Sequence, residues 1–159
     1  MQINVVFYTN KNNCRRDNVV NKEIIDEVLF KFLKNIYLFQ RKENILFKLT
    51  WDEIYMLQLL SRQQGMQVSV LSRQLKLQDF VTSRMITKLA KDGFVIRKTS
   101  EIDRRAVLVY ITEKGKAKIE EIEEYNFKMI DSCSDKLPAE DLALLISSVD
   151  KLGEILGLE

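Results

Sequence analysis

Between Asp79 and Lys91 the chain reads DFVTSRMITKLAK, a run that mixes cations, hydroxyls and one aromatic residue. At about 100° per residue on a helix, Thr82, Met85, Ile86 and Leu89 form an inward stripe. Phe80, Ser83, Arg84, Thr87, Lys88 and Lys91 fall on the opposite face, with Val81 at its border. No carboxylate interrupts that face. A DNA major groove calls for such a set: arginine to grip guanine in a bidentate pair, apolar contact for the thymine methyl, and cations for phosphates. The N-terminal half of a helix laid in the groove points deepest, so Phe80, Val81, Ser83 and Arg84 are the expected base readers. Thr87 shares their face, and Lys88 and Lys91 suit phosphate. The competing reading is a solvated amphipathic helix, which would leave Phe80 exposed without a purpose unless it packs on the preceding helix.

A second constellation is Ser100-Glu101-Ile102-Asp103-Arg104-Arg105. Arginine is favoured in a narrow minor groove, where the potential is strongly negative. Asp103 is placed to hold the Arg105 guanidinium in one rotamer and so lower the ordering cost on binding. The alternative is a charged turn without a partner.

Charge is distributed to match. Residues 62–105 carry ten Lys/Arg against four Asp/Glu, residues 1–61 nine against seven, and residues 106–159 six against twelve. A basic centre beside an acidic flank suits a protein that presents one surface to phosphates. The chain has no histidine and only two cysteines, Cys14 and Cys133. That disfavours a structural zinc site and a disulfide framework, and it removes the commonest general acid–base. No paired-carboxylate, phosphate-loop or nucleophile–base signature stands out, so neither an enzyme nor a cofactor is expected. No apolar run approaches 20 residues, and the patch Ile3 to Tyr8 is too short for a signal-peptide core. A cytoplasmic protein that does not engage a membrane is the expectation.

The elements that must position these residues follow from period and punctuation. An irregular arm covers residues 1–18. Ile24, Ile25, Val28, Leu29, Phe32, Leu33 and Ile36 then predict a helix from Val19 to about Arg41. Thr50-Trp51-Asp52-Glu53 reads as a capping box opening a second helix that ends before Gly65. Two shorter helices follow, Ser69 to about Leu75 and Asp79 to Lys91, the latter ended by Gly93. The period then changes: Phe94 to Lys98 and Ala106 to Ile111 are β-branched and aromatic runs that predict a hairpin. Helical spacing returns from Thr112 to about Ser132 (Ile119, Ile122, Asn126, Met129, Cys133). It returns again after Pro138 (Leu142, Leu145, Val149, Leu152, Leu156). The result is a mostly α fold with a small β-hairpin wing, a winged helix-turn-helix flanked by terminal helices. Those helices exceed what a small lobe can cover, so pairing with a second copy is expected, with ordinary intrachain core as the alternative.

The stretch Gly93 to Arg97, then Asp103-Arg104-Arg105-Ala106-Val107-Leu108-Val109-Tyr110-Ile111-Thr112-Glu113-Lys114-Gly115, resembles the wing signature of the MarR family of transcription regulators. Leu71 to Leu75 with Ser83 to Leu89 resembles the helix pair of that family. The similarity runs from about Leu49 to Lys118. It implies one MarR-type domain over residues 1–159, with a DNA-binding lobe at 49–112 and dimerisation helices at 19–48 and 113–159. It also implies that Arg105 enters the minor groove, Asp103 orients it, Arg104 meets the backbone, and a homodimer reads an inverted-repeat double-stranded operator. Members usually act as repressors and many release DNA on binding small phenolic or other lipophilic molecules. The chain departs from the family pattern at Phe80 and Val81, where small or hydroxyl residues are common, so the operator sequence stays open.

Two further expectations concern sensing. Cys14 beside Arg15 and Arg16 could form a thiolate, and some relatives sense oxidants through a cysteine near the first helix. Phe32, Trp51, Tyr55 and Tyr125 are candidates to line an effector pocket, although aromatics at helical spacing also serve as core. A winged-helix module that meets an acidic protein partner is the alternative to DNA binding.

Overall fold

The computed structural model describes residues 21–99, 106–134 and 136–157. By its contacts the chain divides into two units, Met1–Lys42 and Glu43–Glu159. The first helix, α1, spans Lys22–Phe47 and so runs past the expected end near Arg41. Nothing in residues 42–47 breaks a helix, and the stop comes at Lys48, whose φ of 57° is left-handed. In the first unit this helix carries exposed Ile24, Val28, Phe30 and Leu33, with surface pairing of Lys31 to Glu27.

The second unit opens on the expected cap. Thr50 Oγ1 accepts the Glu53 N–H at 3.3 Å, and the Glu53 carboxylate accepts the Thr50 N–H at 2.9 Å, starting α2 (Trp51–Arg62). Two of the helix's orphan amides are thereby satisfied. A two-residue strand β1 (Met66–Gln67) precedes α3 (Val68–Leu75). The recognition candidate α4 spans Asp79–Lys91, with the bounds expected of it. Gly93, at φ 79°, then turns the chain into β2 (Val95–Thr99). The partner strand β3 spans Val107–Ile111 and pairs antiparallel with β2 from Val95↔Ile111 to Thr99↔Val107. It also pairs with β1 through Met66↔Val109, so the sheet order is β1-β3-β2. Helices α5 (Glu113–Ser134) and α6 (Ala139–Leu156) complete the chain.

Among the described residues the fully apolar core lies between Leu49 and Ile122: α2 gives Ile54, Met56, Leu57 and Leu60, α3 gives Leu71, and α4 gives Ile86 and Leu89. Val95, Val109 and Ile111 close it from the sheet, and Ile119 and Ile122 from α5. The inward stripe of α4 behaves as its spacing dictates: Thr82, Ile86 and Leu89 are inaccessible, and Met85 packs against the same core.

Wing and α5 meet at the Thr-x-x-Gly turn. Thr112 Oγ1 donates to the Gly93 carbonyl at 2.7 Å and accepts the Gly115 N–H at 3.1 Å, which caps the first turn of α5. A Cβ at residue 115 would stand 2.3 Å from the Phe94 carbonyl oxygen. Helix and strand approach so closely that only glycine fits.

Candidate nucleic-acid interface

The outward face of α4 and the adjoining strands form an open trough of about 640 Å³. Ser83, Arg84, Thr87, Lys88 and Lys91 line it from the helix, and Arg97 and Val107 line it from the wing. Four cations and no carboxylate face the same space. A 13-residue helix is about 20 Å long, enough to lie along a major groove. Phe80 stands in its first turn with 61 % of its surface exposed, outside the buried core. Val81 and Ser83 are half-buried, and Arg84 is exposed.

Two long-range bonds fix this face, and residue spacing reveals neither. Lys88 Nζ lies 2.7 and 2.8 Å from the two oxygens of Glu53, whose carboxylate is buried beneath it. The same carboxylate therefore caps α2 and holds α4. With one charge already matched, Lys88 offers DNA less than its type suggests. On the other side, Arg97 Nη2 donates to the Ser83 carbonyl at 3.0 Å and to Thr87 Oγ1 at 2.8 Å. Thr87 in turn donates to the Ser83 carbonyl at 2.8 Å. Arg97 thus pins the middle of α4 to the wing and brings a cation into the trough from outside the helix. The sequence signal was only its strand parity, which puts Arg97 on the same face as buried Val95 two residues earlier.

The remaining sequence candidates separate. Asp103, Arg104 and Arg105, together with Cys14, lie outside the described residues. Trp51 and Tyr55 sit on α2 with about two-fifths of their surfaces open, 40% and 39%. Tyr125, on α5, meets the Phe47 ring edge-on at 5.5 Å. Phe32 is half-buried on the α1 segment of the first unit. None of these four lines the trough on α4. No helix among the described residues is long and apolar enough to cross a membrane, and no cluster of potential metal ligands occurs among them.

Comparison with known proteins places this geometry. The family described as "Transcriptional regulator SarA/Rot" matches residues 28–122. An uncharacterized HTH-type transcriptional regulator of Bacillus subtilis, YwhA, is 23% identical over 100 residues, covering 63% of this chain and 72% of that one. A MarR family protein from Bacillus stearothermophilus superposes with a TM-score of 0.73 at 20% identity, over 87% of this chain and 99% of the other. Streptococcus pneumoniae FabT, solved in complex with DNA, superposes with a TM-score of 0.71 at 18% identity, over 86% and 98%. The fold is that of the MarR-type winged-helix regulators, as the wing signature implied.

Proposed function

This chain belongs to the SarA/Rot family of transcriptional regulators, and from that premise we propose that it represses genes by binding an inverted-repeat operator as a homodimer. DNA binding as such follows from the family and the winged helix; the operator symmetry, the sign of regulation and the residue roles are the proposal. The observation that carries it is the trough on α4, whose lining holds Arg84, Lys91, Arg97 and the Glu53-paired Lys88 but no carboxylate, with an exposed Phe80 on the same helix. Arg84 grips a guanine edge, Phe80 and Val81 meet apolar base surface, and Ser83 bonds a base edge close to the helix backbone. Thr87 is turned toward Arg97, so it supports the face more than it reads. Lys91 takes phosphate, with Lys88 as a partly neutralised neighbour. Arg105, oriented by Asp103, enters the minor groove, and Arg104 meets the backbone.

The whole of residues 1–159 acts as one regulator domain in this reading, and the helical ends supply the second copy. Exposed Leu144, Leu145, Ile146 and Val149 on α6 support it, since so many large apolar side chains in one stretch are a liability in a lone chain. A small lipophilic molecule releases the operator. The test is titration of a duplex from the gene's own promoter at several salt concentrations. Log affinity should fall steeply with log salt, and Arg105→Ala should cost affinity on every sequence. Affinity indifferent to salt, or equal for heparin and duplex, would falsify the reading in favour of an acidic protein partner.

A further inference from the structure

Arg84, Lys88 and Lys91 follow one another at intervals of four and three residues, so they share one stripe of α4, about 10 Å from end to end. All three line the trough. They are not equivalent. Among the described residues Arg84 and Lys91 form no ion pair, whereas Lys88, between them, lies on both oxygens of Glu53. The stripe is therefore charged at its two ends and matched at its centre.

The match is more than a surface pair. The Glu53 side chain is 5% exposed and the Lys88 side chain 50%, so the carboxylate is fixed and the lysine reaches in to it. Glu53 cannot follow Lys88 outward. Its Oε2 also accepts the Thr50 N–H at 2.9 Å, and it sits in the first turn of α2, where the helix dipole favours negative charge. An exposed pair breaks at little cost, but withdrawing Lys88 toward a phosphate would strand a buried carboxylate. Two of the three ammonium protons are already given to Glu53. Non-specific DNA binding is almost wholly a count of phosphates neutralised, while operator binding adds base contacts that need α4 in one seat. Glu53 acts on both. It removes a cation from the count and, from 35 positions away, ties the third turn of α4 to the start of α2.

We propose that Glu53 is a specificity-determining residue of this regulator. By holding Lys88 it withholds one cation per chain from the DNA backbone and keeps α4 seated for Arg84, so that non-specific duplex is bound weakly relative to the operator. The inference rests on the trough being the DNA surface, and Lys91 supplies the control for that premise. Glu53→Gln keeps an oxygen for the Thr50 N–H while cancelling the charge that holds Lys88.

The experiment titrates the full chain and its variants with two duplexes of equal length over a series of salt concentrations. One duplex comes from the gene's own promoter, and the other is that sequence scrambled. In Glu53→Gln, its folding checked by urea midpoint, log affinity should fall more steeply with log salt by about one unit per chain. Scrambled duplex should bind about tenfold more tightly at ~0.1 M salt, and the preference for promoter over scrambled duplex should drop by about as much. Lys91→Gln should make the native slope shallower by about one unit per chain. Lys88→Gln should take off clearly less than that in the native chain, and a similar amount in the Glu53→Gln background. An unchanged slope in Glu53→Gln overturns the proposal, as does a preference that holds or rises. So does Lys88→Gln costing the native chain as much slope as Lys91→Gln, a comparison that decides the matter even where Glu53→Gln does not fold. If Lys91→Gln also leaves the slope unchanged, the trough is not the DNA surface and both readings go. A shallower Lys91→Gln beside an unchanged Glu53→Gln removes only the role of Glu53.

Discussion

The lobe between Leu49 and Ile122 and the helical ends of the chain draw on the same aliphatic residues and use them in opposite ways. In the lobe, Leu57, Leu60, Leu71, Ile86 and Leu89 are inaccessible, enclosed by three helices, a three-stranded sheet and the first half of α5. At the ends, Phe30 on α1, Phe127 on α5, and Ile146 and Val149 on α6 each leave about two-thirds of their surface open, at 69%, 64%, 64% and 66%. Polar residues reverse the pattern. In the lobe they are tied across the fold, Glu53 to Lys88 and Arg97 to Thr87, whereas on the end helices the ion pairs are local i,i+4 contacts such as Lys128 with Glu124. The difference teaches that the lobe is specified by its own interior, whereas the ends leave large apolar side chains uncovered, the feature on which the proposed pairing with a second copy rests.

That contrast can be broken most forcefully from within the lobe. Leu60→Ala should cost about 2–5 kcal/mol, read as a lower urea midpoint, because its side chain has no exposed surface to lose. If it costs no more than an end-helix truncation such as Leu144→Ala, the division of labour is wrong. Next in size is Leu145→Asp with Val149→Asp, which should turn the proposed dimer into a monomer in light scattering and raise its Kd by about a hundredfold, some 2.7 kcal/mol. Near-ultraviolet dichroism of the lobe should survive that change, and its loss would show that the ends help fold the reader.

Asn126→Ala probes the border between the two regions. Asn126 Nδ2 donates at 2.9 Å to Glu43, a carboxylate only 2% exposed. Stranding that carboxylate should cost about 1–3 kcal/mol in thermal or urea unfolding, and Asn126→Asp should cost more through like charge. Arg84→Ala should leave stability unchanged and remove about 1–3 kcal/mol of discrimination at one operator base pair, seen in competition between single-base variants. The smallest effect belongs to Thr50→Ala, about 1 kcal/mol of stability, from loss of one half of the capping box.

Much of this was legible in the residues because it is local. The capping box at Thr50 and Glu53, the bounds of α4, the glycine stop at Gly93 and the strand character of Val95 to Thr99 and Val107 to Ile111 all arise within a few positions. Local period and punctuation report such features directly. What escaped is non-local or too short to have a period. The strand β1 has two residues, fewer than one full alternation, and exists only because β3 lies beside it. The bond from Lys88 to Glu53 joins residues 35 positions apart, so a lysine that reads as a free phosphate partner is already engaged.

The contact at Gly115 has a consequence for the operator. With a Cβ position 2.3 Å from the Phe94 oxygen and Thr112 bonded to both sides of the joint, the base of the wing cannot pivot or slide on α5. In a dimer joined through its end helices, α5 then acts as a rigid strut with a wing fixed at its foot. The distance between the two wings becomes a built-in dimension, and the centre-to-centre spacing of the operator half-sites should be the one sequence parameter that substitutions in α4 never alter.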